Sequence, residues 1–419
     1  MSTDGYIVAI LLRMAIDSGV CAIASFVALC SLGCGGRTTA TGATTPGTDA
    51  AGAGGASPEG ASTGGGTSSG GAGVAGSAGA VVDGGASASV PGQPPPPPVN
   101  GVDASALPRS VFAVRTWYLG DVDWSGNATQ SACWDYAWDL DAQTFPKPLS
   151  KKHCITPSDG PSPLYGAQDG PLGVDNRLGC LVGAVDTFSA KATALAAGGL
   201  ATLLVTIDHL GPGNDYTGTT GAIGSAAGSV DSAGNTIAPT DVSWTDGSYA
   251  WRPLVGDFLA TACFSEKQIA YPAAAPLPNG YVSDGTWVAG GFGAFTVVIP
   301  LGTHQTENSS ASPVRWFPLR LKHGWVTARL SDDRKRLYKG MLGGITSVED
   351  AEKTLEIAFG CTGLCGPIAP RIADMMADGT QEPTKPCNGV SVSFGFEAVL
   401  VTEGDGVAVP AIEGAPCAP

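Results

Sequence analysis

Residues 35–106 contain no Leu, Ile, Met or aromatic residue, so this stretch has no apolar face to offset the entropy of ordering it. It reads as a disordered linker rich in Gly, Ala, Ser, Thr and Pro, and it accounts for many of the 61 glycines and 31 prolines among 419 residues. The linker is assigned to residues 35–109. Near its end, residues 94–98 are five consecutive prolines, which favour extended polyproline II geometry and make a stiff spacer of about 3.1 Å per residue. The expectation is a tether carrying a folded domain at 110–419, and roughly 310 residues suffice for one large or two closely packed domains.

The segment before the linker points to export. Residues 20–32 (VCAIASFVALCSL) are an uncharged, mostly apolar run, too short for a hydrocarbon core that takes about 20 residues to cross. The run reads as the core of a signal peptide spanning 1–34, with Met14 a second candidate start. It ends in SLGCGG, where Gly33 precedes Cys34, and this ending resembles the lipobox of bacterial lipoprotein precursors. The resemblance implies lipid on Cys34 and a place in the cell envelope at the outer membrane. The order of signal, LGCGG, low-complexity linker and cysteine-containing acidic domain resembles predicted surface lipoproteins of myxobacteria, whose domains have no assigned function. A net charge of −15 removes any general attraction to nucleic acid.

Within 110–419 the patterning favours β structure. Segments 111–119, 201–210, 287–301 and 389–402 are rich in β-branched and aromatic residues and are bounded by Gly, Asp, Asn or Pro. Residues 315–342 read as a meander turning at His323-Gly324 and at Ser331-Asp332-Asp333, with Leu319 and Leu321 alternating against Arg320 and Lys322. Leu181, Val185, Phe188, Ala192 and Leu195 form one helical stripe that Gly198-Gly199 ends. A second helix is expected from Ser347, whose side chain can cap the turn holding Glu349 and Asp350, and a third over 368–376. No long β-α-β alternation appears, so the expected fold is mainly β, a β-sandwich or jelly roll with a few short helices.

Eight cysteines lie in this domain: Cys133, Cys154, Cys180, Cys263, Cys361, Cys365, Cys387 and Cys417. An even number in an exported chain implies disulfides, whose connectivity the spacing leaves open. There is no CxxC pair, and His153, His209, His304 and His323 show no zinc-ligand spacing.

Within 110–419 no GxSxG, SxxK, HExxH or GxxxxGK[ST] motif occurs, and glycine-rich matches in the linker lack the strand and helix such motifs need, which argues against the common hydrolase and nucleotide-binding families. A pair of carboxylates suffices for glycoside hydrolysis, and the candidates are Asp121, Asp123, Asp135, Asp139, Asp141, Asp208 and Asp215. Asp121-Val122-Asp123-Trp124-Ser125-Gly126 resembles the first half of a DxDx[DNS]G calcium loop. That resemblance implies ligands from Asp121, Asp123, Ser125 and the Asn127 carbonyl, with Asp139 or Asp141 replacing the glutamate for which Ala132 stands. Asp169 to Asn176 is a second Asp/Gly/Asn cluster, resembling DGxGxDN phrases of calcium-rich repeats and offering Asp169 and Asp175.

Trp134, Tyr136 and Trp138 alternate with Asp135 and Asp139, joined nearby by Trp117, Tyr118 and Trp124. As a strand, this segment puts three rings on one face, which suits either a core stripe or a saccharide surface, since sugar C–H faces stack on rings and hydroxyls bond to carboxylates. Eight of the 22 basic residues, Arg315, Arg320, Lys322, Arg329, Arg334, Lys335, Arg336 and Lys339, fall in one stretch and form a solvated strand face or a surface for an anionic wall polymer. The expected function is a lipid-anchored envelope protein that binds a ligand, a carbohydrate or wall polymer among the partners, or serves a structural role. The alternative is a secreted carboxylate-dependent hydrolase acting on polysaccharide.

Overall fold

A computed structural model describes residues 92–103, 107–129, 131–140, 154–155, 170, 173–185, 187–261, 268–291, 293–302, 314–359, 368–380 and 382–410. All of them belong to the second of two units, Met1–Val81 and Val82–Pro419. The strands are β1 (Val102–Asp103), β2 (Ser110–Tyr118), β3 (Ala201–Asp208), β4 (Tyr216–Ala227), β5 (Ala250–Val255), β6 (Asp257–Thr261), β7 (Gln268–Pro272) and β8 (Ala274–Ser283). They continue with β9 (Thr286–Gly290), β10 (Phe295–Gly302), β11 (Val314–Leu330), β12 (Arg336–Ser347), β13 (Gly389–Leu400), β14 (Thr402–Glu403) and β15 (Val407–Ala408). The helices are α1 (Arg177–Val185), α2 (Phe188–Ala197), α3 (Asp241–Asp246), α4 (Val348–Phe359) and α5 (Ile368–Arg371).

Eight strands close into an antiparallel barrel in the order β4-β3-β2-β13-β12-β11-β9-β8, with β8 returning to β4. The fold is mainly β as expected, but it is a barrel and not a sandwich or jelly roll. Closure rests on the pairing of β4 with β8, from Tyr216↔Val282 to Gly224↔Ala274. These two strands are the least strand-like in sequence, YTGTTGAIGSAA and AAPLPNGYVS. Small residues are needed there because Trp287 fills the barrel behind β4: a Cβ on Gly221 would lie 2.7 Å from its ring.

The lumen is packed with Phe112, Val114, Trp117, Leu203, Val205, Trp287, Phe317, Leu319, Phe394 and Phe396, among others, and so it is a core. Several strands are buried on both faces, which explains their continuous apolar runs. Outside β2 and β3, Val111, Ala113 and Leu204 lie under Trp244, Tyr249 and Trp251, and outside β10 the β6–β7 hairpin covers Val298 and Trp316 through Phe258 and Tyr271.

Several expectations change. The stripe Leu181 to Leu195 is divided between α1 and α2, because Asp121 engages the amide of Ser189 and so starts a new helix there. The 287–301 segment makes two strands, β9 and β10. His323-Gly324 is a bulge inside β11, with His323 at φ 49°; β10 pairs with β11 before it and β9 after it. Ser331 does turn the chain, its Oγ accepting the amides of Lys335 (3.2 Å) and Arg336 (2.9 Å). Ser347 caps α4 by accepting the Asp350 amide at 3.1 Å, and the third helix is only the four residues of α5.

The folded unit also begins before residue 110. The Asp139 amide donates to the Gly92 carbonyl (2.7 Å), the Tyr281 hydroxyl donates to the Pro95 carbonyl (2.5 Å), and β1 pairs parallel with Tyr216 and Thr217 of β4. The proline run is laid along the barrel wall instead of standing free as a spacer.

Candidate functional site

The Asp121–Gly126 segment leaves β2 and folds back as a turn closed by the Val122↔Ala128 bridge. Oδ1 of Asp123 accepts the amides of Ser125 (2.8 Å) and Asn127 (2.9 Å), and Oδ2 accepts from the Asn127 side chain (3.2 Å). The Asn127 carbonyl accepts the Asp123 amide (2.9 Å). These amides, that of Asn127 foremost, hold the Asp123 carboxyl below the usual carboxylate range. Asp121 turns to another partner, accepting the amide of Ser189 at the start of α2 (3.3 Å) and the Ser189 hydroxyl. The four residues of the expected calcium loop are therefore divided between an Asx turn and a helix cap.

A second copy of the turn occurs at Val230-Asp231-Ser232-Ala233-Gly234-Asn235-Thr236. Asp231 Oδ1 accepts the amides of Ala233 (2.9 Å) and Asn235 (2.8 Å), and the Asn235 side chain donates to Oδ2 (3.0 Å). Gly126 and Gly234 adopt φ 80° and 85°, which glycine allows at little cost. The repeated V-D-x-x-G-N phrase was present in the sequence and marks this turn. Its recurrence in a second, unrelated loop identifies it as a local folding device.

Beside the first turn, three rings meet. Trp124 lies edge-on to Tyr118 (centroids 4.8 Å apart) and to Tyr136 (5.5 Å). The cluster closes over Gly395 of β13, where a Cβ would sit 2.9 Å from Trp124. Trp124 Nε1 donates to the Asp135 carbonyl (3.0 Å). Tyr136 is fully buried and its oxygen accepts the Gly120 amide (2.5 Å); burial first, then nearby Asp121, Asp135 and Asp123, pushes its pKa up. Burial, then Glu397, pushes Tyr118 up to about 12. Asp135, itself exposed, is raised by partial desolvation and by Asp123. The outcome is a half-buried indole next to Asp123 and Asp135, packed on a Tyr118 that hydrogen-bonds Glu397.

The segment 134–139 is not the expected strand. Residues Ala132–Trp134 form a 3-10 turn, Trp138 bridges Asp175, and Tyr136 and Trp138 are core residues. Asp175 is buried and accepts the Leu140 amide (2.9 Å), while Asn176 caps α1 by accepting the Gly179 amide (3.2 Å) and also accepts that of Ser393 (2.6 Å). Next to it, Arg177 faces Asp374 in a buried pair (3.9 Å), and Asp374 accepts the amide (2.9 Å) and hydroxyl (2.5 Å) of Ser391. Asp208 takes Thr220 (3.2 Å) and Arg109 (3.9 Å), Asp215 takes the Asp284 amide (2.9 Å), and Asp139 is buried.

Among the described residues no group of three or more His, Cys, Asp or Glu is placed to hold a metal ion. Disulfides join Cys133 to Cys180 and Cys154 to Cys387, a state that persists in oxidising compartments. Cys34, Asp141, His153, Asp169, Cys263, His304, Cys361, Cys365 and Cys417 lie outside the described residues.

Of the basic stretch, Arg315, Arg320, Arg329, Lys335, Arg336 and Lys339 are exposed. Arg329 lies over the Tyr338 ring at 5.9 Å. Arg334 differs: its guanidinium donates to the carbonyls of Gly211 (3.1 Å), Pro212 (2.9 Å), Gly213 (2.6 Å) and Ser331 (3.1 Å) and to Asn214 Oδ1 (3.0 Å). It locks the 211–214 loop to the β11–β12 hairpin. A surface depression of about 410 Å³ lies elsewhere on the wall, between Pro97 and residues 217–220 and 279–281.

No protein-family model, no curated protein and no solved structure matches this chain.

Proposed function

We propose that the chain is an exported cell-envelope protein, held at the outer membrane by lipid on Cys34, whose barrel binds a carbohydrate or cell-wall polymer on its outer wall at Trp124. The observation that carries this is the corner itself. With the lumen filled by apolar side chains, a ligand has the wall to use, and there a half-buried indole, Trp124, bonded to the Asp135 carbonyl, packs against Tyr118, which hydrogen-bonds the Glu397 carboxylate. A pyranose offers C–H groups to a ring and hydroxyls to such acceptors.

The SLGCGG ending and the disulfides support the envelope location. A binding role agrees with how the carboxylates are used: Asp121, Asp123, Asp175 and Asp215 each accept backbone amides at turns or helix starts. Two experiments test the proposal. Cell fractionation with labelled fatty acid should find the wild type lipidated in the membrane and Cys34→Ala released; a Cys34→Ala protein that stays membrane-bound refutes the anchor. Retention on insoluble cellulose, chitin or peptidoglycan should be seen for the wild type and lost for Trp124→Ala; equal behaviour of the two refutes the ligand site.

A further inference from the structure

The end of the linker occupies a prepared surface. Five prolines in polyproline II form span about 15 Å and leave every carbonyl free of internal hydrogen bonds, and proline-rich segments are recognised by aromatic surfaces that supply donors to those carbonyls. Tyr281 does this here. Its ring is buried, its hydroxyl donates to Pro95, and burial holds its pKa up to about 12, so the donor proton stays in place. Pro97 forms one wall of the neighbouring depression with Thr217, Thr219, Asn279 and Gly280.

The contact is specific at both ends. Gly92 takes φ 80° and packs where a Cβ would lie 3.1 Å from Asp139, and Gly101 packs where a Cβ would lie 2.9 Å from Pro98 and 3.1 Å from Thr217.

The strap of residues 92–103 is also separable from the barrel. β1 lies outside the eight-strand ring, so the strap can lift away without breaking a barrel pairing. Residues 104–109 join it to β2. The surface it would vacate is complementary to one ligand that every copy of the chain carries, the relationship that underlies exchange of identical elements between protomers.

We propose that the β4–β8 face is a polyproline-binding surface, latched in cis by the 94–98 run and able to take the same run from a second copy of this chain. The test uses two full-length variants. One replaces all five prolines (Pro94→Ser, Pro95→Ser, Pro96→Ser, Pro97→Ser, Pro98→Ser) and keeps the surface; the other, Tyr281→Phe, keeps the run and loses the donor.

Mixed together, the two should form a 1:1 complex in sedimentation velocity, about tenfold tighter than either forms with itself, because each supplies what the other lacks. A labelled peptide of residues 91–100 should bind the five-serine protein about tenfold more tightly than the wild type, whose own run competes at an effective concentration on the order of millimolar. Monomers in the mixture, or equal or absent peptide binding by proteins that unfold at the wild-type midpoint, would overturn the proposal. If the five-serine protein fails to unfold cooperatively, Pro95→Ser with Pro97→Ser is read in its place.

Discussion

The carboxylate of Asp121 accepts both the backbone amide and the hydroxyl of Ser189, 68 residues away, and Ser189 Oγ in turn accepts the Leu119 amide at 2.7 Å. An acid that the sequence offers as a calcium ligand thus joins the end of β2 to the start of α2. Losing it leaves the buried Ser189 without its acceptor, so Asp121→Ala should lower unfolding stability by about 1–3 kcal/mol. Urea denaturation measures this. The wild type should unfold at one midpoint in excess calcium and in chelator, because the carboxylates of Asp121 and Asp123 are already hydrogen-bonded at separate places; a calcium-dependent rise that Asp121→Ala abolishes would return Asp121 to the metal.

Acid should act through the two V-D-x-x-G-N turns. Asp123 is held below the ordinary carboxylate pKa chiefly by the Asn127 amide, and Asp231 chiefly by the Asn235 side chain. A folded pKa below the unfolded one means the contribution is complete above the unfolded value of about 4 and is lost as pH falls through the depressed folded values. Asp123→Asn with Asp231→Asn should therefore lose stability less steeply than the wild type below about pH 4. Identical slopes would show that these turns do not report on folding.

How far the sequence could be read depends on the kind of residue. Strands β2, β3 and β13 and the cap at Ser347 were legible, because β-branched runs and local side-chain caps act over a few residues. Barrel closure was not. It depends on β4, with three glycines, and β8, with two prolines, strands chosen for how closely they approach Trp287 and each other and not for propensity. The ring cluster was half legible: the aromatics were visible, but Tyr136 and Trp138 proved to be core, and Glu397 reaches Tyr118 only through the pairing of β13 with β2.

Arg334 should not tolerate lysine. Its fork reaches four carbonyls and Asn214, a geometry one ammonium cannot reproduce. Arg334→Lys should cost about 1–2 kcal/mol and speed proteolysis in the 211–214 loop, while Arg336→Lys, at an exposed position, should change neither. Equal effects would mean that the loop is held by other contacts.

The bond between Cys133 and Cys180 closes a loop with sequence separation 47 and ties the Trp138 region to α1. Its removal by Cys133→Ala with Cys180→Ala should cost about 2–4 kcal/mol, seen as a lower urea midpoint. Peptide mapping of the unreduced protein should recover the 133–180 and 154–387 pairs, and any other partner for these four cysteines would contradict the fold.

The ligand site can be tested by calorimetry. The protein should be titrated with a soluble oligosaccharide of whichever polymer retains it, as the wild type, Trp124→Ala and Asp135→Asn. Binding in the wild type, weakened at least about tenfold by Trp124→Ala and less by Asp135→Asn, is the predicted result. Affinity unchanged in Trp124→Ala, with all three proteins folded, would contradict a saccharide site at this corner of the barrel.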